Sequence, residues 1–313
     1  MKLAQLKYFL AVYRSNNFTV AANEQYVSQP AISRAIRDLE QEFGVRFFKR
    51  NNNRLEITEQ GEWLAERAKF ILSYVDETEQ SLHAMSANQG YVRMGVDPMV
   101  ATAFIFPVVI ELAEKYPDTR VDITEAGSVS LRQLAEASLV DFSVCITDGL
   151  ESSKLQLTPI LTSELVYCVG QNHPYAKEGK EEVSIEELSD QKIILFKEDS
   201  FQHMFIKEKF AECGSHLKVY MCTDQLNSIV DMLNFGNCGA FLFKEIAESK
   251  GLKAIPLKDK INLNIGIVWN SSHRLDEAEL RVRNFIASRF NAEELSPEDV
   301  LMEDYKDDLS DAE

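Results

Sequence analysis

Apolar positions recur at helical spacing from the start of the chain. Leu3, Leu6, Phe9, Leu10 and Tyr13 predict a first helix. A second, short one runs from Thr19 to Gln25 behind Asn17 and Phe18, with the small residues Ala21 and Ala22 inside it. Ser28 is a good N-cap for a third helix that tolerates Pro30 in its first turn. That helix carries Ile32, Ile36, Leu39 and Phe43 as one apolar stripe and stops at Gly44. Phe47 to Ile57, with Asn51-Asn52-Asn53 in the middle, reads as a short hairpin. From Glu59 the helical pattern resumes, and Leu64, Ala68, Ile71, Val75, Thr78, Leu82 and Met85 alternate spacings of four and three. Such a narrow seam suits a partner helix, although it could also lie on the core of its own domain.

Beyond Gln89-Gly90 short strands alternate with helices. Strands are predicted at 91–96, 120–124, 140–146, 155–161, 164–170, 193–196, 218–222, 239–243 and 263–269. Helices are predicted at 100–115, 129–137, 200–213, 224–234 and 274–290. This alternation predicts an α/β body with mostly parallel sheets, in one domain or two similar lobes. Four segments follow: a head (1–58), a long helix (59–88), the body (91–290) and a tail (291–313). The tail holds ten acids and one lysine, Lys306, which predicts disorder.

Charge changes the picture. The net charge of −17 argues against nucleic acid, but residues 1–60 carry nine Lys/Arg against six Asp/Glu, leaving 24 against 44 for the rest. The head is basic and the body acidic. Thirteen glycines, eight prolines and 45% hydrophobic residues exclude collagen-like and wholly disordered classes. No run of about 18 apolar residues predicts a membrane span. The first residues do not resemble a secretion signal, and five cysteines without a CxxC suit reduced thiols, so a cytoplasmic protein is expected.

On the third helix, Gln29, Ser33 and Arg37 fall about a third of a turn from the apolar stripe, flanked by Pro30 and Arg34. One face is buried and the other is rich in donors, and a short helix precedes it across a tight turn. This is the pattern of a helix-turn-helix whose second helix enters the major groove. Glutamine can pair in two places with adenine, and arginine with guanine or phosphate. The helix N-terminus at Ser28 offers backbone N–H groups to a phosphate. Arg50 and Arg54 flank the hairpin turn and would reach the flanking backbone. The plainer alternative is a solvated helix with scattered arginines.

Residues 6–61 resemble the N-terminal signature of LysR-type transcriptional regulators. The matching words are Leu6-x-x-Phe9-Leu10-Ala11-Val12, Asn17-Phe18-Thr19-x-Ala21-Ala22 and Val27-Ser28-Gln29-Pro30-Ala31-Ile32-Ser33-x-x-Ile36-x-x-Leu39-Glu40. They continue through Gly44-Val45-x-Phe47-Phe48-x-Arg50 and Leu55-x-x-Thr58-x-x-Gly61. Phe47 stands where the family often has Leu, and Val20 where a polar residue is common. The resemblance implies that Thr19, Ser28, Gln29, Pro30, Ser33, Arg34, Arg37, Arg50 and Arg54 touch double-stranded DNA. A weaker likeness runs to about Phe290 through Val92-Arg93-Met94-Gly95, Tyr116-Pro117-Asp118, Asp141-Phe142-Ser143-Val144 and Gly236-x-x-Gly239.

The resemblance further implies a winged helix-turn-helix head, a long linker helix that pairs subunits, and a two-lobed α/β body like periplasmic binding proteins. Lobe one would be 91–162 plus 268–290, and lobe two 163–267. A small-molecule effector would sit between them, against Asp97, Met99, Val100, Thr102, Ser128, Thr147, Phe196, Thr223 and Asp224. Homo-oligomerisation and contact with RNA polymerase are also implied. Family members often offer Ser or Thr hydroxyls to an anionic effector where this chain has Asp97 and Met99. The carboxylates of Asp97, Asp148 and Asp224 point to a cationic, zwitterionic or largely apolar effector rather than a dicarboxylate, unless Asp97 and Asp224 simply cap the helices that follow. Cys213, His216 and Cys222 match no standard zinc spacing, Cys213 and Cys222 miss the loop where some relatives sense oxidants, and no nucleophile or phosphate-loop motif occurs. No cofactor, metal or catalytic residue is expected. The rival is a small-molecule binding protein or enzyme whose basic head docks a protein.

Overall fold

The computed structural model describes residues 1–51, 54–86 and 90–296. The chain forms two compact units, Met1–Ala87 and Asn88–Glu313.

The first unit contains α1 (Leu3–Ser15), α2 (Phe18–Glu24), α3 (Gln29–Phe43), the strands β1 (Phe48–Asn51) and β2 (Arg54–Ile57), and the long α4 (Glu59–Ser86). Asn17 caps α2 by accepting from the Thr19 and Val20 N–H groups at 2.8 and 3.2 Å. Gly44 closes α3 in the left-handed conformation at φ 67°. The strands pair antiparallel, Phe48 opposite Ile57 and Asn51 opposite Arg54. Leu6, Phe9, Ala21, Ile32, Ile36 and Leu39 form the core, and Phe9 meets both Phe47 and Phe48 with ring centroids 5.4 Å apart.

Two expectations change in this unit. Phe43, expected as the last member of the buried stripe, is 52% exposed, because α3 has run past the core by its final turn. The seam on α4 is also divided. Leu64, Ala65, Ala68 and Leu72 bury into the head's own core, so the first half of the helix serves its own domain. The face left open is one residue away, at Trp63, Phe70 and Tyr74, which are 59%, 42% and 54% exposed. The side chains of Leu82 and Met85 lie outside the described residues.

The second unit is built on one mixed sheet. Its strands are β3 (Gly90–Val96), β4 (Thr119–Glu125), β5 (Phe142–Ile146), β6 (Leu155–Val169), β7 (Ile193–Leu195), β8 (Val219–Cys222), β9 (Gly239–Phe243), β10 (Lys253–Ile255) and β11 (Ile261–Asn270). The order is β4-β3-β5-β11-β6-β9-β7-β8, with β10 also on β6. Pairing is parallel within β4-β3-β5 and within β9-β7-β8, and antiparallel at β5-β11, β11-β6 and β6-β9.

The strands expected at 155–161 and 164–170 are one 15-residue strand. Its first half pairs β11 beside β5, and its second half pairs β9 and β10. Thus β6 and β11 run through both halves of the sheet and join two lobes. β11 is on β5 from Ile265 onward, ahead of the 268 expected for the return to lobe one. The register shifts between Ile265 and Gly266, where the strand changes lobes.

Lobe one adds α5 (Pro98–Val100), α6 (Phe106–Lys115), α7 (Ser128–Glu136) and α12 (Glu277–Arg289). Lobe two adds α8 (Pro174–Lys177), α9 (Phe201–Glu212), α10 (Leu226–Phe235) and α11 (Lys244–Ser249). The helix expected at 100–115 is interrupted by a π-helical turn, Ala101–Ile105, which joins α5 to α6. Pro107 explains it: lacking an N–H and crowding the carbonyl four residues back, it cannot continue α-helical bonding there. Gly239 is fixed by packing, since a Cβ would lie 2.1 Å from the Tyr167 ring.

The tail predicted to be disordered from 291 is held over its first residues. Fully buried Arg283 donates to the Glu293 carbonyl at 2.6 Å and to the Thr158 hydroxyl, and Asn284 exchanges two bonds with Leu295. Burial pushes the Arg283 guanidinium down to about 10. The run from 297 lies outside the described residues.

Candidate functional site

In the head, α3 turns its apolar side to α1 and α2 and leaves Ser28, Gln29, Pro30, Arg34 and Arg37 exposed, with Ser33 half-buried. Thr19 is exposed at the start of α2. Ser28 occupies the N-cap position of α3, yet its hydroxyl makes no capping bond. Tyr26, left-handed at φ 54° in the turn before α3, is 95% exposed. A groove of about 430 Å³ between α3 and the hairpin is lined by Gln29, Ser33, Arg37, Arg46, Lys49 and the Phe18 and Phe48 rings, among others.

Arg34, Lys49 and Arg37 make exposed contacts on this surface. Arg34 pairs with Asp38 at 3.9 Å and Lys49 with Glu56 at 3.6 Å, while Arg37 Nε donates to the Ser33 carbonyl at 3.2 Å. Such pairs are worth little in water and exchange readily for a phosphate. Arg46 and Lys49 were not singled out from sequence, because they follow Gly44 and only the fold returns them to the groove. Glu40 closes the third word of the signature. It is buried, and its carboxylate accepts from the Phe47 N–H at 2.8 Å and from Arg46 at 3.1 Å, which ties α3 to the hairpin. Thr58 fixes the other side of the hairpin by donating to the Arg46 carbonyl at 2.6 Å. The backbones of Arg50 and Arg54 sit opposite Leu55 and Asn51, and their side chains lie outside the described residues.

The body residues expected around an effector behave differently. Asp97 is buried and caps α5, accepting from the Met99 N–H at 3.0 Å. The fully buried Ser128 hydroxyl donates to it at 2.7 Å. Burial pushes the Asp97 carboxyl above its ordinary range, and these donors pull it part of the way back. Met99 and Val100 are packed into the core and present nothing to solvent, while Thr102 is half-buried in the π-helical turn. Thr147 donates its N–H at 2.8 Å and its hydroxyl at 3.2 Å to the Asn264 carbonyl. Phe196 is buried, with its carbonyl 2.7 Å from His203 Nδ1.

Asp224 does not cap α10. It is exposed and ion-paired with Lys197, while the Thr223 hydroxyl accepts from Gln225 at the start of that helix. The structure therefore brings Asp97, Ser128 and the Ile146 N–H together in lobe one, and Phe196, Thr223 and Asp224 around the ends of β7 and β8 in lobe two. Asp199, in the loop Asp199-Ser200-Phe201 that matches the oxidant-sensing position of some relatives, and Arg132 have no expected effector role from sequence, yet they stand where the lobes meet. Asp199 accepts from the Gly127 N–H and the Ser130 hydroxyl at 3.3 and 3.2 Å. Arg132 donates to the carbonyls of Ile146 and Asp148 at 2.6 and 2.8 Å and lies 5.7 Å from the Phe201 ring centroid.

Metal-ligating groups gather in another place. Cys213 and Cys222 are exposed, and His216 pairs with Asp190 at 3.3 Å rather than with either thiol. Asp141, His273 and Glu279 have ligand atoms within 4.8 Å of one another. Asp141 is ion-paired with Arg93, and one Glu279 oxygen meets His273 at 3.1 Å and the Asp276 N–H at 2.7 Å. The bond to Glu279 raises the His273 imidazole above its usual value. No helix among the described residues is long and apolar enough to cross a membrane.

Comparison with known proteins fits this arrangement. Residues 3–62 match the model of the bacterial regulatory helix-turn-helix protein, lysR family, and residues 86–291 match the LysR substrate binding domain. The uncharacterized HTH-type transcriptional regulator YwbI of Bacillus subtilis (strain 168) is 30% identical over 89% of this chain and 93% of its own length. The regulator AlsR of the same organism is 24% identical over 91% and 94%. Among solved structures, the LysR family transcriptional regulator CbnR matches with a TM-score of 0.69 at 17% identity, covering 93% of this chain and 99% of that one. Full-length CbnR complexed with its target DNA matches with a TM-score of 0.67 at 17% identity, over 92% and 99%. The helix-turn-helix head, the two-lobed α/β body and these matches together place the chain in the LysR family of transcriptional regulators.

Proposed function

We propose that this regulator acts as a homo-oligomer in the cytoplasm, reads a specific operator through α3, and answers to a small molecule held between the lobes of its body. The exposed donor face of α3, beside the groove that Arg37, Arg46 and Lys49 line, carries the reading. Gln29, Ser33, Arg34 and Arg37 read base edges. Thr19, the Ser28–Pro30 end of α3, Arg50, Arg54, Arg46 and Lys49 take phosphates and set the register. The protein-docking alternative for the head loses its ground with the family match.

Two heads reach one duplex if α4 pairs with its counterpart in a second copy. The open stripe of Trp63, Phe70 and Tyr74 favours this pairing, with Arg67 stacked 4.5 Å from the Trp63 ring centroid. The body serves binding rather than catalysis, and contact with RNA polymerase follows from the regulatory role. The effector is a cationic, zwitterionic or largely apolar molecule. Asp148 and Asp199 stand at the cleft, and its hydroxyl and amide donors already serve the protein's own oxygens.

A gel shift and footprint on the DNA flanking its own gene test the function. We expect a footprint over two half-sites that Gln29→Ala relaxes. Absence of specific binding, or a footprint indifferent to that substitution, would refute the assignment. Calorimetry against aliphatic dicarboxylates and amines tests the effector class, and tight dicarboxylate binding would overturn it.

A further inference from the structure

The N-terminus of α7 opens from lobe one toward lobe two. It has no acidic residue of its own in its first turn. Instead, lobe two inserts Asp199 there. The carboxylate accepts from the Gly127 N–H at 3.3 Å and the Ser130 hydroxyl at 3.2 Å, and the Asp199 carbonyl accepts from the Val129 N–H at 3.1 Å. Three donors at one helix end thus hold one residue of the opposite lobe. The positive end of the helix adds to the attraction.

The fit is close. Gly127 has φ −63° and ψ 148°, a conformation open to any residue, so glycine is not required by the backbone. It is required by Asp199: an added Cβ would lie 2.4 Å from the Asp199 carbonyl oxygen and 2.6 Å from the Ser200 nitrogen. Beside this contact, the Phe201 ring of lobe two packs on Arg132 of lobe one, 5.7 Å from guanidinium carbon to ring centroid. The neighbouring donors are also spent within the protein, Ser128 on Asp97 and Thr147 on Asn264.

We propose that Asp199 is a built-in surrogate ligand: its carboxylate occupies the anion position at α7, latches the two lobes together and bars small carboxylates from the cleft. It thereby determines effector specificity, and an effector acts by shifting the latch rather than by filling an empty anion site. This deepens the proposed function and rests on its placing of the effector between the lobes.

Two substitutions in the full chain test it. Asp199→Ala empties the anion position, while Gly127→Ala forces the two segments apart with both lobes otherwise intact. We expect the melting temperature of each to fall by about 4 °C. Sodium acetate at about 100 mM, compared with sodium chloride at equal ionic strength, should restore Asp199→Ala by mass action and leave the original protein and Gly127→Ala unchanged. Asp199→Ala melting like the original protein with no acetate response, together with a neutral Gly127→Ala, would overturn the latch. Operator footprints of the same variants separate this from the underlying reading. A changed footprint supports both. An acetate-rescued melting temperature with an unchanged footprint keeps the latch and removes the cleft from regulation.

Discussion

The head and the inter-lobe cleft use similar donors to opposite ends. On α3 the arginines are exposed, and their partners are an exposed carboxylate and a nearby carbonyl. In the cleft, Ser128, Thr147 and the first turn of α7 face protein oxygens at bonding distance. A surface that must grip a polyanion leaves its donors to water, which DNA displaces along with counterions. A cleft whose lobes must rest together before any ligand arrives cannot leave buried donors empty, because each would cost about 1–3 kcal/mol. Lists of polar residues look alike for both regions; only the partner of each donor tells them apart.

The contrast predicts different penalties. The largest falls in the body: Asp97→Ala removes a cap and leaves Ser128 without its acceptor, and should cost about 2–4 kcal/mol in urea unfolding. Operator binding by the head should survive at temperatures where the body stays folded. If Asp97→Ala unfolds like the original protein, the cleft floor is not held as described. Next, Gln29→Ala should cost roughly 1–3 kcal/mol of operator binding without altering thermal stability. Equal loss on every sequence would move Gln29 from base reading to phosphate contact.

Smaller effects sharpen the comparison. Arg54→Ala should weaken all sequences alike and reduce the slope of log K against log salt by about 1. His273 gives a pH test of the body alone. Its folded value lies above the usual 6.5, raised by the bond to Glu279, with Asp141 and Arg93 adjacent. Its stabilisation is therefore complete below the unfolded value and fades as pH rises through the folded one. His273→Gln should lower the melting temperature more at acidic than at alkaline pH. A pH-independent difference would contradict this. The smallest effect is expected at Lys197→Ala, which removes an exposed pair with Asp224 and should leave melting nearly unchanged.

Much of the fold was legible. The stripe Ile32, Ile36 and Leu39 identified α3 and its buried side because helical period and burial coincide there. The Asn17 cap and the Gly44 stop marked helix ends through local chemistry. The exposed face of α3, with Gln29, Arg34 and Arg37, was legible for the same reason, since it falls away from the apolar stripe. The cleft was less so. Ser128 and Asp97 were named, but their mutual bond, 31 residues apart in the chain, turned both inward. Asp199 sits 72 residues from the Gly127 N–H it binds, and no local pattern marks it.

What the sequence by itself determined was the local grammar: which segments are helices, where they stop, which side of α3 is apolar, and that a basic head precedes an acidic body. Those properties depend on neighbours three or four residues away. Tertiary structure decided which donors remain available. It turned Phe43 outward and Leu64 inward, fused two expected strands into β6 so that both lobes share it, returned Arg46 and Lys49 to the groove, and set Asp199 against α7. Such outcomes depend on contacts between distant segments, whose distances exist only once the chain has closed on itself.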